Sequence, residues 1–417
     1  MNMYRHQLSY LTEWLKVKHR KPIVIRGARQ VGKSTLVRLL SEQCGFDLIE
    51  LNFERNPELA SFFKSHDPHK ITQLISLQTG KTIQPGHTLL FLDEIQGSAE
   101  AIVALRYFYE EFPELHILCA GSLLEFTLSQ AGFSMPVGRI EYLHLGPMTF
   151  AEFLLAVGEK ALADFIAHYQ IFEEIPKPIH EKLMDIVKIY FVTGGMPESI
   201  KAYAEDNTFK TSEKVKQSIL STYRDDFGKY ASITQLCLAR VAWKVHHTSA
   251  NGVPLGAEQN DRFFKVLFLD IGLVSTSLGL NYLNLMEVDE LNFVNNGSLT
   301  EQFIGQHLLY AQMPYEEPNL YYWAREKKSS SAELDYVISY GQQIIPIEVK
   351  AGKTGQMKSL HLFLKEKQRH LGVRFNSAPP SQMDTTTKLP DGSSVDFRFL
   401  SLPLYLVGQL SRLSTKQ

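Results

Sequence analysis

Near the N-terminus, the run Gly27-Ala28-Arg29-Gln30-Val31-Gly32-Lys33-Ser34-Thr35 has the residue types and spacing to hold a polyphosphate. It follows the short apolar run Pro22 to Ile25 and opens an amphipathic stretch with Leu36, Leu39 and Leu40 at helical spacing. That is the strand, glycine loop and helix of a P-loop, GxxxxGK[ST]. Gly27 and Gly32 let the backbone curl so that successive N–H groups face phosphate oxygens, and the helix beginning near Lys33 adds its positive N-terminus. Lys33 is expected at the β- and γ-phosphates of ATP, and the Ser34 hydroxyl on Mg²⁺.

A second constellation completes this chemistry. Leu89 to Leu92 is apolar on both faces, as in a central parallel strand, and ends in Asp93-Glu94. Asp93 at the strand's carboxyl end is expected to hold the Mg²⁺ through water, and Glu94 to polarise the attacking water. The buried run HILCA ends in Gly121-Ser122. In P-loop ATPases with such an acid pair, an extra strand lies between the loop strand and the acid strand, and its polar tip senses the γ-phosphate. Ser122 fits that role, or else it only caps a strand end. Arg139, just before the alternating run Ile140 to Leu145, is a candidate for stabilising transition-state charge in cis or from a neighbouring subunit, or is a surface residue. Arg29, inside the loop, is a second candidate for that work. Thr149 reads as the N-cap of a following helix.

A different set of acids lies near the C-terminus. An amphipathic helix from Leu299 to Ala311 carries Glu301 near its start, and three strand-like runs follow: Leu320 to Ala324, Glu333 to Ser339 and Gln343 to Lys350. Period-two counting puts Asp335 on one face of its strand, and Glu348 and Lys350 together on one face of theirs. Pro346 suggests a bulge or an edge position there. Two carboxylates separated by a hairpin, with a lysine two residues beyond the second, suit metal-dependent phosphodiester cleavage: acids for Mg²⁺ and an ammonium to position water. Such a pattern also arises by chance in amphipathic hairpins. Downstream, Lys353, Lys358, Lys365, Lys367 and Arg369 make a basic stretch that suits a phosphate backbone or a wetted helix face.

These residues need elements to position them. A chain of 417 residues implies roughly two to three domains. With 44% hydrophobic and 21% charged residues and a net charge of −2, it has no overall basic footprint, so nucleic acid is limited to a local patch. Three cysteines without CxxC spacing argue against a disulfide framework or a zinc site and suit a reducing, cytoplasmic setting. No run approaches eighteen uncharged apolar residues, so no membrane span is expected. The expected fold class is α/β: a P-loop parallel sheet with flanking helices over 1–147, a mainly helical middle region over 148–291, and an α/β domain over 292–417. The corner at Gly194-Gly195-Met196-Pro197 reads as a tight helix–helix turn, Arg224-Asp225-Asp226 as a solvated stretch or else a docking face, and Phe263 to Gly279 as a strand or buried helix start.

Taken together, GARQVGKS, FLDEIQ, the AGS strand end, the GR before LGPMTFAEFL, TGGMPE, LFLDIGL, the YYW run and LDYVIS…IPIEVKAG resemble the prokaryotic AAA-type P-loop ATPases. Those proteins carry a conserved C-terminal domain of unknown function. The resemblance spans nearly the whole chain and implies ATP binding and hydrolysis. The order of Glu301, Asp335, Glu348 and Lys350 resembles the PD-(D/E)XK nuclease core, a likeness of fold that does not by itself imply cutting. Relatives usually carry a longer winged-helix-like piece where KVHHTSAN runs into PLGAE, which leaves a shortened middle region here. Three functions follow as expectations: an ATPase whose nucleotide state controls the C-terminal domain, an ATP-regulated nuclease, or a nucleotide switch whose C-terminal domain docks a protein or nucleic acid. A homo-oligomer is compatible with each.

Overall fold

A computed structural model of the protein describes residues 3–122, 124, 135–227, 232–280, 296–325, 332–352, 357–389 and 392–415. Lys353 and the boundary expected at 291 lie outside the described residues. The first third alternates helix and strand: α1 (Gln7–Leu15), β1 (Ile23–Arg26), α2 (Lys33–Cys44), β2 (Asp47–Asn52), α3 (Pro68–Thr79), β3 (Thr88–Asp93), α4 (Ala99–Glu111), β4 (His116–Ala120) and β5 (Glu141–His144). The strands pair in parallel in the order β2-β3-β4-β1-β5.

Every residue of β3 and β4 is buried, because helices cover both faces of the sheet. Side-chain alternation sorts the two faces. Ile23, Ile25, Phe91 and Leu118 pack with Leu8 and Leu11 of α1 and Leu36 of α2, whereas Val24, Leu90, Leu92 and Ile117 pack with Ile75 of α3 and Leu105 of α4. The expected intervening strand is β4, between β1 and β3. Its position brings the carboxyl ends of β1, β3 and β4 to one edge of the sheet.

The helical region runs through α5 (Phe150–Ala156), α6 (Lys160–His168), α7 (Lys177–Thr193), α8 (Pro197–Asp206), α9 (Phe209–Phe227) and α10 (Ile233–Leu238). Thr149 caps α5 in a full capping box with Glu152. The glycine corner turns between α7 and α8; Gly194 has φ 71, and a Cβ there would meet the Asp270 carboxylate. Asp270 in turn accepts from Gly195 N at 2.5 Å and caps the next helix through Leu273 N.

The region expected to be mainly helical also contains two strands. β6 (Ala242–Thr248) and β7 (Gln259–Phe268) form an antiparallel ribbon across residues read as a shortened helical piece. Most of β7 is exposed or half-buried because it is the outermost strand of its sheet, so its sequence lacks the clean alternation that marks a strand.

After α11 (Ile271–Ser277) come α12 (Asn296–Leu309), β8 (Tyr321–Ala324), β9 (Glu333–Tyr340), β10 (Gln343–Val349), α13 (Lys358–Glu366), β11 (Leu371–Asn376), β12 (Ser381–Lys388), β13 (Ser394–Pro403) and α14 (Leu410–Thr415). The strands from β6 onward make one eight-stranded sheet, ordered β12-β13-β11-β10-β9-β8-β6-β7. Pro346 is therefore on an interior strand rather than at an edge or bulge. It pairs in regular register with Val337 of β9, and the parallel register with β11 begins only after it, at Ile347 with Val373. The two sheets share one core, in which Leu145, Met148 and Phe150 pack with Leu299, Phe303 and Leu308.

Candidate functional site

The loop after β1 curls around its own lysine. Gln30 and Gly32 adopt positive φ, 65 and 93, and Gly32 is the residue from which α2 starts. Gly27 admits no side chain, since a Cβ would lie 2.2 Å from the Leu145 carbonyl oxygen. Lys33 Nζ donates to the carbonyls of Gly27 at 3.0 Å and Ala28 at 2.8 Å, which sets the ammonium inside the curl. Ala28 and Val31 are fully buried and anchor the loop in the core. Arg5, unnoticed in the sequence, supports it from below: Nη1 donates to Val31 O at 2.8 Å and Nη2 to Gly146 O at 2.7 Å. Arg5 also pairs with buried Glu152. Burial alone would raise the Glu152 carboxyl, but Arg5, His6 and the capping N–H groups hold it below its ordinary value.

The tips of β3 and β4 converge on this loop. Ser34 Oγ donates to Asp93 Oδ2 at 3.1 Å, and Asn52 Nδ2 donates to the same oxygen at 3.2 Å. Burial and then the adjacent Glu94 carboxylate push Asp93 upward, against the bonds from Ser34 and the Glu94 N–H. Glu94 has its backbone in the left-handed region, φ 49. Its Oε2 accepts from Ser122 N at 3.2 Å, Ser122 Oγ at 3.3 Å and Gln96 Nε2 at 2.6 Å. Ser122 therefore meets Glu94 directly. Arg29, Gln30, Gly32, Lys33, Ser34, Thr35, Glu54, Glu94 and Ser122 line one open cavity of about 380 Å³. A cavity with an ammonium, helix-start amides, a hydroxyl and two carboxylates can hold a polyphosphate with a divalent cation and polarise a water beside it.

The helical region reaches into the same cavity. Arg29 Nε donates to Ser122 Oγ at 3.2 Å and Nη1 to Asp226 of α9, while Tyr223 Oη donates to Arg29 O at 2.8 Å. Asp226 thus docks on the loop, the alternative to a solvated stretch. Nothing local in the sequence marks it, because the contact spans 197 positions.

Arg139 lies elsewhere. It precedes β5, whose Glu141 pairs with Ile23 at the start of β1, and its Nε donates to Glu110 at the end of α4 at 2.7 Å. The strand leaves it at the edge of the sheet opposite its own loop, about 13 Å of β1 away.

The C-terminal acids do come together. The pair Ile347–Tyr336 sets Asp335 alongside Glu348 one residue further on, and Asp335 Oδ2 accepts from Val349 N at 2.7 Å. Burial pushes up Glu301, to about 7, as well as Asp335 and Glu348, and the Asp335 charge adds to the rise of both glutamates. Lys350 Nζ pairs with Glu348 Oε1 at 2.5 Å, while Glu348 Oε2 is buried without a hydrogen-bond partner among the described residues. Lys265 of β7 pairs with Glu333, and its charge acts on Glu301, Asp335 and Glu348. No local signal marks this second cation, because the run from Phe263 suits a strand or a buried helix start and only its pairing in the sheet brings Lys265 to these acids. Among the described residues, no three His, Cys, Asp or Glu side chains form a group that could hold a metal.

Fold and loop together define a P-loop nucleotide-binding unit. Residues 19–154 match the AAA domain family, and residues 296–384 match a domain of unknown function (DUF4143). The AAA match supports an ATP-binding ATPase, in a family that generally binds ATP with Mg²⁺. No curated protein matches the chain. A solved structure of C. elegans PCH-2 is 13% identical over 56% of this chain, with a TM-score of 0.26, and the chain spans 65% of that protein's length. That likeness is too distant to inform the site. Among the described residues no helix is long and apolar enough to cross a membrane.

Proposed function

We propose that the chain is a Mg²⁺-dependent ATPase whose nucleotide state controls how the C-terminal sheet is held. The observation that carries the reading is the Ser34–Asp93 hydrogen bond of 3.1 Å at the loop mouth, with Glu94 on the neighbouring tip. Two oxygens at that separation suit ligation of a divalent cation, directly by the hydroxyl and through water by the carboxylate. A Mg²⁺ held there would withdraw charge from the β- and γ-phosphates.

The protein's own groups do the rest. Loop amides and Lys33 bind and orient the phosphates, Glu94 accepts the proton of the attacking water, and Ser122 fixes the Glu94 carboxylate. Coupling to the C-terminal sheet is supported by Glu317, which precedes β8. It meets Arg240 at 2.7 Å and Arg26, the last residue before the loop, at 3.9 Å.

Titrating MgATP into the protein by calorimetry tests the reading. Wild type should bind, and Lys33→Ala should weaken binding by about 100-fold or more, as expected for a desolvated charge pair. Identical heats for both would remove the loop from nucleotide binding. Arg139 is assigned no part in hydrolysis at its own loop. Arg139→Ala should leave the turnover of dilute protein unchanged, and a loss that grows with protein concentration would assign it to a neighbouring copy. No cleavage chemistry is assigned to Glu301, Asp335, Glu348 and Lys350, because among the described residues no three His, Cys, Asp or Glu side chains form a group that could hold the metal such chemistry needs.

A further inference from the structure

Arg29 sits where two claims on one guanidinium meet. Its side chain is 30% exposed and lines the loop cavity; Nε is bonded to Ser122, which touches Glu94. If Glu94 polarises water for attack on the γ-phosphate, this is the γ end of the cavity, whereas the Lys33 ammonium lies deeper in the curl. Among the described residues the guanidinium also meets Asp226, in the last turn of α9, with a side chain 27% exposed. That same turn grips the loop a second time through Tyr223 Oη on the Arg29 carbonyl. An arginine bound to a half-exposed carboxylate at a phosphate site is placed to exchange one anion for another.

The grip leads away from the cavity. Upstream on α9, Glu213 accepts from Lys216 Nζ at 2.7 Å and from Thr276 Oγ1 of α11 at 3.0 Å. α11 continues directly from β7, the edge strand of the C-terminal sheet, and its cap Asp270 holds the α7–α8 corner at Gly195. A change at the end of α9 therefore has packed elements to act through.

We propose that Asp226 is a positioning residue that makes Arg29 a sensor of the γ-phosphate. Asp226 and the γ-phosphate compete for the guanidinium, so a nucleoside triphosphate detaches the last turn of α9 from the loop and a diphosphate does not. The proposal rests on the ATPase reading above and adds to it a specificity for the third phosphate and a route to the C-terminal sheet.

Two measurements test it on the full-length protein. The first is calorimetric affinity for a slowly hydrolysed ATP analogue and for ADP, each with Mg²⁺, in wild type, Asp226→Asn, Arg29→Ala and the double variant. Asp226→Asn should tighten analogue binding by about five- to tenfold and change ADP binding by less than about twofold, the gain of freeing one half-exposed pair. In the Arg29→Ala background the Asp226→Asn effect should vanish, which a merely structural role for Asp226 does not predict. Equal changes for both nucleotides, or an effect that survives without Arg29, overturn the proposal.

The second measurement needs no variant. Hydrogen exchange of amides 219–227 in wild type should speed up with the analogue and stay unchanged with ADP. Equal exchange in the two states also overturns the sensor. Failure of wild type to bind either nucleotide is a separate result, because it removes the ATPase reading itself.

Discussion

Two groups of acids in this molecule are built in opposite ways. At the loop, Asp93 and Glu94 are met by two serine hydroxyls, an asparagine amide, a glutamine amide and main-chain N–H groups, and the Lys33 ammonium donates to loop carbonyls. At the C-terminal sheet, Glu348 is paired with Lys350, and Lys265 opposes Glu301, Asp335 and Glu333. Neutral donors orient a carboxylate while leaving its charge for an incoming cation; lysines offset part of that charge beforehand. The first set is oriented by neutral donors, and in the second burial and mutual repulsion hold Glu301, Asp335 and Glu348 above their ordinary values although two lysines lie beside them.

The strongest way to break the contrast is at Glu94. Glu94→Gln should retain ATP binding while turnover falls by about 10²- to 10³-fold, measured as phosphate release. Unchanged release would make the loop acids as inert as the other set. The lysines should separate next. Beyond its effect on ATP affinity, Lys33→Ala should shift stability by no more than about 1 kcal/mol. Lys350→Ala should leave ATP affinity alone and lower stability by about 1–2 kcal/mol, because it strands the buried Glu348 carboxylate; the figure is discounted for the partial exposure of Lys350. Denaturant unfolding of both variants reads the difference.

A pH series sharpens the comparison further. The folded Glu301 carboxyl titrates at about 7, above its ordinary value of 4.5. Below 4.5 it is protonated in both states. Between 4.5 and about 7 only the unfolded chain gives up the proton, so its contribution to stability falls as pH rises through that window. Glu301→Gln, which mimics the protonated form, should match wild type near pH 4 and exceed it by on the order of 1 kcal/mol at pH 8. A gain of equal size at both pH values would show that the buried charge is not the cause. The smallest effect is expected at Asp335: with Mg²⁺, wild type and Asp335→Ala should both leave supercoiled DNA intact. Nicking by wild type that the substitution abolishes would place a metal-dependent site there.

Legibility followed sequence distance. The loop's glycines and lysine, the apolar strand ending in Asp93-Glu94, and the Thr149 cap are each local patterns, and each formed the element expected of it. The hairpin carrying Asp335 and Glu348 was equally local and formed with the expected face. The β6–β7 ribbon was legible only in part: the run from Phe263 suits a strand or a buried helix start, and an edge strand wetted on both faces lacks the alternation that would decide between them. Nor was the interior place of Pro346, which depends on where the neighbouring strand begins to pair.

By itself, then, the sequence determined the phosphate-binding loop, the acids that follow it and the presence of strands near the C-terminus, because those depend on local backbone geometry and periodicity. Only the tertiary structure decided that Arg29 is held by Asp226, that Arg139 stands at the far edge of its sheet, and that Lys265 joins the C-terminal acids. Each of those outcomes turns on which charge lies near which other charge in space, and spacing along the chain carries no record of such pairings.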